Sequence, residues 1–120
     1  MINKERSTKQ LTFKIESVQI KSAVVCDLTL LLRMNIDTFD EPQKVLITTQ
    51  SDGFNSFTDF INSFFQASGI AGFDLADLPK LLAGQGGTAR FYQNDADKVN
   101  VIGWNFNEIK GARLYEVKPL

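Results

Sequence analysis

The chain has no histidine and a single cysteine, Cys26, among its 120 residues. Without histidine there is no Ser-His-Asp or Cys-His nucleophilic arrangement. One cysteine and no histidine also rule out ordinary structural zinc sites and any internal disulfide. In its apolar strand Cys26 reads as a small hydrophobe. No apolar run approaches the roughly 18–20 residues that a bilayer-crossing helix needs. The longest, Leu28 to Leu32, is interrupted by Thr29 and closed by Arg33. The polar start, Met1 to Arg6, lacks an apolar signal core. A cytoplasmic protein without membrane contact is the expectation.

Other chemistry is also thin. Gly84-Gln85-Gly86-Gly87 lacks the Gly-Lys-Ser/Thr ending of a phosphate loop. It precedes a strand rather than a helix, so it reads as a turn requiring positive φ. Carboxylates gather at Asp37, Asp40 and Glu41 and again at Asp95 and Asp97. Both groups fall in predicted turns, where Asp serves local hydrogen bonding. No cofactor and no enzymatic activity are expected.

What is present is a core and a segregated charge. Apolar residues make up 43% of the chain, enough for one domain without covalent staples. Residues 1–8 read as a flexible arm and 9–120 as a single domain. The net charge is −1, but it is unevenly spread. Residues 1–21 carry five cations and two anions, residues 22–83 three and eight, and residues 84–120 five and four. A fold that joins the two ends would present a basic face on a nearly neutral protein.

Strand periodicity gives the shape. Leu11, Phe13 and Ile15 are apolar at odd positions, and Val18 and Ile20 at even ones. Strand side chains alternate with period two, so a bulge or bend near Ser17 is needed to keep both sets in the core. Ala23 to Met34 alternates as a second strand, forming a hairpin with the first. Lys44 to Gln50, rich in β-branched residues, is a third. Phe57, Phe60, Ile61 and Phe64 then recur at helical spacing after Ser56, with Asp59 at capping-box distance and Gly69 as the stop. The phenylalanine stripe suits a helix plugging a barrel end, with Phe65 off it and exposed. Asp74 to Leu82 is a shorter helix capped by Asp74 or Asp77, with Pro79 in its first turn. Thr88 to Gln93 is a fourth strand. Lys98 to Phe106 is a fifth, whose parity switches at Gly103, a position suited to a bulge. An edge strand through Leu114, Tyr115 and Val117 is the expectation for the tail.

The fold class expected is therefore all-β with one or two helices: a five-stranded OB-like barrel with a helix between strands 3 and 4. Single-stranded nucleic acid is bound by aromatic platforms beside cations. The late strands interleave the two kinds, Arg90 beside Tyr92 and Lys98 with Trp104. Lys14 and Lys21 on the first strand and Arg33 on the second face outward. These seven residues are the candidate nucleic-acid-binding set.

Length, strand order, the Phe-rich helix ending at Gly69 and the segment Asp77-Leu78-Pro79-Lys80-Leu81-Leu82-Ala83-Gly84 leading into Thr88-Ala89-Arg90-Phe91-Tyr92 resemble one family. It is that of the small single-stranded-DNA-binding proteins of bacteriophages, including those of low-GC Gram-positive hosts. The resemblance covers residues 9–107. It implies sequence-independent binding of single strands in phage replication or recombination, in the host cytoplasm, as a homodimer and alongside replication or recombination proteins. The final residues, Tyr115 to Leu120, depart from the acidic tail of many such proteins. A non-enzymatic protein–protein or virion-associated module, using Phe65, Phe73 and free strand edges, is the alternative.

Overall fold

The computed structural model describes residues 8–24, 27–69, 74–94 and 98–107. Among the described residues five strands run in the order β1 (Lys9–Val24), β2 (Asp27–Ile36), β3 (Gln43–Thr48), β4 (Gly86–Gln93) and β5 (Val99–Phe106). Helices α1 (Phe57–Ser68) and α2 (Leu78–Leu82) lie between β3 and β4, with a 3₁₀ turn at Leu75–Asp77. All strand pairs are antiparallel, and the sheet order is β3-β2-β1-β4-β5. The sheet curls into an OB-like half-barrel. Among the described residues no helix is long and apolar enough to cross a membrane.

β1 is the long shared strand, and it bends where its parity changes. Ile15 pairs with Met34 and Ser17 with Arg33, which leaves Glu16 as an extra residue. The slip keeps Phe13 and Ile15 buried before it and turns Val18 and Ile20 inward after it. A second slip, at Lys21 between the Ile20–Leu30 and Ser22–Thr29 pairs, has no counterpart in the apolar pattern. β1 runs on to Val24 and β2 begins at Asp27, so Ala23 and Val24 belong to the first strand rather than the second. Cys26 lies outside the described residues.

The β5 bulge falls where parity predicts it. Thr88 pairs with Asn105 and Arg90 with Ile102, so Gly103 and Trp104 together face Ala89. Gly103 has φ 69°, a conformation glycine adopts without a Cβ penalty. The glycine run differs from the turn expected of it. Gly86 and Gly87 are strand residues, and only Gly84 of the run has positive φ. A Cβ on Gly87 would lie 2.8 Å from the Cα of Phe106 and against the Asn105 carbonyl. The glycine is there for close approach of two backbones.

Helix α1 caps as its sequence dictates. The Asp59 N–H donates to Ser56 Oγ at 3.3 Å, and Gly69 closes the helix in the left-handed region at φ 77°. Phe60, Ile61 and Phe64 fill the barrel end. Phe65, expected to be exposed, is half-buried and packs against the core. Neither Asp74 nor Asp77 caps its helix through a side chain, while Pro79 does sit in the first turn of α2.

The core is built around Phe13. Its ring meets Trp104 at 5.2 Å and Phe106 at 5.4 Å between centroids, both edge-to-face. Phe60 lies 4.7 Å from Trp104. Edge-to-face geometry puts a ring's positive rim on its neighbour's negative face, adding about 0.5–1.5 kcal/mol per pair to the area buried.

Candidate nucleic-acid interface

Alternation on β4 divides its residues cleanly. Ala89 and Phe91 are buried, while Arg90 is exposed and Tyr92 half-exposed on the outer face. Arg90 is flanked by Gln10 of β1 and Ile102 of β5, and Tyr92 by Asn100. The Arg90 guanidinium lies across the bulge glycine: a Cβ on Gly103 would meet its Nε at 2.9 Å and its Nη2 at 3.1 Å. A side chain there would lift Arg90 off the strand. The Tyr92 ring stands 5.9 Å from that of Phe54, tilted by 48°. Lys98, exposed immediately before β5, donates its backbone N–H to Asn94 Oδ1 at 3.0 Å. Arg90, Tyr92 and Lys98 thus share one end of the β4–β5 pair.

The other cations extend this face along β1. Lys14 is exposed and level with Asn35 on one side and Gly86 on the other. It lies four residues from Gln10, about 13 Å at strand rise. Segments 9–14 and 86–91 are direct neighbours, so the described parts of the two basic ends do meet. Lys21 sits in the second bulge, seven residues and about 23 Å beyond Lys14. It belongs to the far end of the sheet.

Arg33 is held by an acid. Its Nε donates to Glu16 Oε1 at 2.7 Å, and Asn35 Nδ2 donates to Glu16 Oε2 at 3.3 Å. The hydrogen bond from Arg33, then that from Asn35, holds the Glu16 carboxyl below the ordinary carboxylate range. The bulge that reconciles the two halves of β1 is also what places Glu16 there. Lys44, beside Arg33 on β3, is a cation of this row that alternation alone did not single out.

Trp104 does not take the position expected of it. It is 8% exposed and enclosed by Phe13, Phe60 and Phe106. The parity switch at Gly103 turns it inward against those rings, away from the outer face that carries Arg90. Its Nε1 is buried without a hydrogen-bond partner among the described residues. Phe54 takes its place as the second aromatic beside Tyr92. Sequence reasoning passed over Phe54 because it lies between Gly53 and Asn55 in a loop, outside any apolar period.

Compared with protein-family models, curated proteins and solved structures, the chain matches none.

Proposed function

We propose that the outer face of β4, with the flanking parts of β1 and β5, binds single-stranded DNA without regard to sequence. One observation carries this reading: Arg90 and Tyr92 stand side by side on the outside of an OB-like sheet, and a second ring, Phe54, lies 5.9 Å from Tyr92. Bases stack on such rings with about 1–3 kcal/mol each, whatever their identity. Arg90, Lys98 and Lys14 neutralise phosphates along the strand, and Arg33 does so only by leaving Glu16. Phage replication or recombination, with a homodimer as the acting species, is the setting that the sequence resemblance suggests.

Anisotropy of a dye-labelled oligo-dT at low salt tests the proposal. Binding of the single strand in preference to duplex, weakened by Tyr92→Ala and by Arg90→Ala, is the expected result. Equal affinity for duplex, or no binding at low salt, rejects it. Trp104 emission is a poor reporter here, because the indole is enclosed.

A second reading, a protein–protein or virion-associated module, draws on Leu46. It is 49% exposed on the sheet-edge strand β3, paired with Leu31 of β2. Self-association that Leu46→Lys abolishes, in a protein without oligonucleotide affinity, would favour that reading.

A further inference from the structure

A cavity of about 290 Å³ lies at the end of the barrel where β1 begins and where β2 and β4 finish. Its walls include Leu11, Phe39, Phe91 and Tyr92, with Lys9 and Thr38 supplying a cation and a hydroxyl. The volume sits at the small end of ligand sites, which run from about 300 Å³ upward. It suits one planar ring rather than a stack.

The rim is strained. Among the described residues two non-glycine residues have positive φ, Thr38 at 75° and Asn55 at 61°. Asn55 tolerates this region and its side chain makes hydrogen bonds to β5. Thr38 is β-branched, for which a left-handed backbone is an outlier. A turn alone would be served by Gly, Asn or Asp. Such strain concentrates at ligand clamps. Here it sits immediately before Phe39, which lines the cavity.

Tyr92 belongs to both features: it lines this cavity and stands beside Phe54 on the outer face. A strand stacked at Tyr92 therefore arrives at the mouth of the cavity, with the exposed Lys9 at hand for its phosphate. We infer that the cavity receives one unstacked nucleobase of the bound strand, with Phe39 in its wall and Lys9 at the adjoining phosphate. The inference rests on the single-strand reading above and adds to it a defined subsite.

The test uses the full chain and an oligo-dT carrying 5-iododeoxyuridine, irradiated at low salt, with crosslinked peptides mapped by mass spectrometry. A crosslink at Phe39 is expected, along with a loss of affinity of about tenfold in Phe39→Ala, the order of one lost stacking contact. Phe39 also packs against the core, so the wild-type crosslink decides if that variant folds poorly. Crosslinks confined to Tyr92 or Phe54 leave the single-strand reading standing and overturn the cavity subsite. Failure of the wild type to retain the oligonucleotide overturns both.

Discussion

Asn55 joins β5 to the end of β3 through a reciprocal pair of hydrogen bonds with Val101. Its Oδ1 accepts from the Val101 N–H at 2.8 Å, and its own N–H donates to the Val101 carbonyl at 2.8 Å. Its carbonyl accepts from Thr48 N at 3.0 Å, and its Nδ2 donates to Asn100 Oδ1 at 3.1 Å. β3 and β5 are the two margins of the sheet, so one residue in the left-handed region bridges the gap that the half-barrel leaves open. Helix α1, capped by the next residue, Ser56, plugs what remains.

Asn55→Ala should therefore lose about 2–5 kcal/mol of stability. The Val101 N–H is stranded, at a cost of about 1–3 kcal/mol, and alanine is strained at positive φ by about 1–2 kcal/mol. Asn55→Gly loses the same side-chain bonds without the strain and should be about 1 kcal/mol better than alanine. Urea midpoints at an unchanged m-value measure both. Equal midpoints for alanine and glycine would remove the backbone part of this account.

The enclosed indole gives a second prediction. Trp104→Phe discards a buried N–H that has no partner among the described residues, relieving about 1–3 kcal/mol, while giving up part of a ring packed on Phe13 and Phe60. The two nearly cancel, so the variant should fall within about 1 kcal/mol of wild type. Phe13→Ala, at the centre of the same cluster, should cost about 3–5 kcal/mol. Thermal and urea unfolding compare them. A loss for Trp104→Phe as large as that for Phe13→Ala would mean that the indole nitrogen is satisfied.

The fold was legible where side-chain period carries it. Odd-to-even switches on β1 and β5 located two bulges, and Ser56, Asp59 and Gly69 marked α1 from cap to cap. The Lys21 bulge was not legible, because a slip at the end of the apolar pattern moves no core residue to the wrong face. Gly86 and Gly87 read as turn glycines, since the need for close backbone approach comes from Phe106 and Asn105, far along the chain. At the site, alternation set Arg90 and Tyr92 on one face of β4 and left open which face that was; the burial of Ala89 and Phe91 makes it the outer one. Alternation failed for Trp104 because the Gly103 bulge, foreseen in itself, sends the following residue inward. Phe54 and Asn55 depend on tertiary contacts that no local period encodes.

Glu16 opposes an anionic ligand from within the candidate face. Both partners of the pair are exposed, so it contributes little to stability. Its carboxyl titrates below the ordinary range because Arg33 and Asn35 favour the charged form. The small contribution is thus present above the unfolded carboxyl's pKa and fades as pH falls through the lower folded value. Glu16→Gln should barely change stability near neutral pH. It should strengthen single-strand binding by about threefold and steepen the salt dependence by about 0.7, one more phosphate being neutralised by the released Arg33. Anisotropy titrations across a salt series read both quantities. Unchanged affinity and slope would place the Lys14–Arg33 row outside the path of the strand.

Gly103 and Arg90 couple the bulge to binding. Gly103→Ala puts a methyl where the guanidinium lies, 2.9 Å from Nε, on a backbone with φ 69°. The strain should cost about 1–2 kcal/mol of stability. The displaced Arg90 should weaken oligo-dT binding about as much as Arg90→Ala does. In a double-mutant cycle the two substitutions should be strongly non-additive for binding, since each removes the same contact, and nearly additive for stability, since the backbone strain persists without the arginine. Additive binding losses would mean that Gly103 serves the ligand in some way other than by seating Arg90.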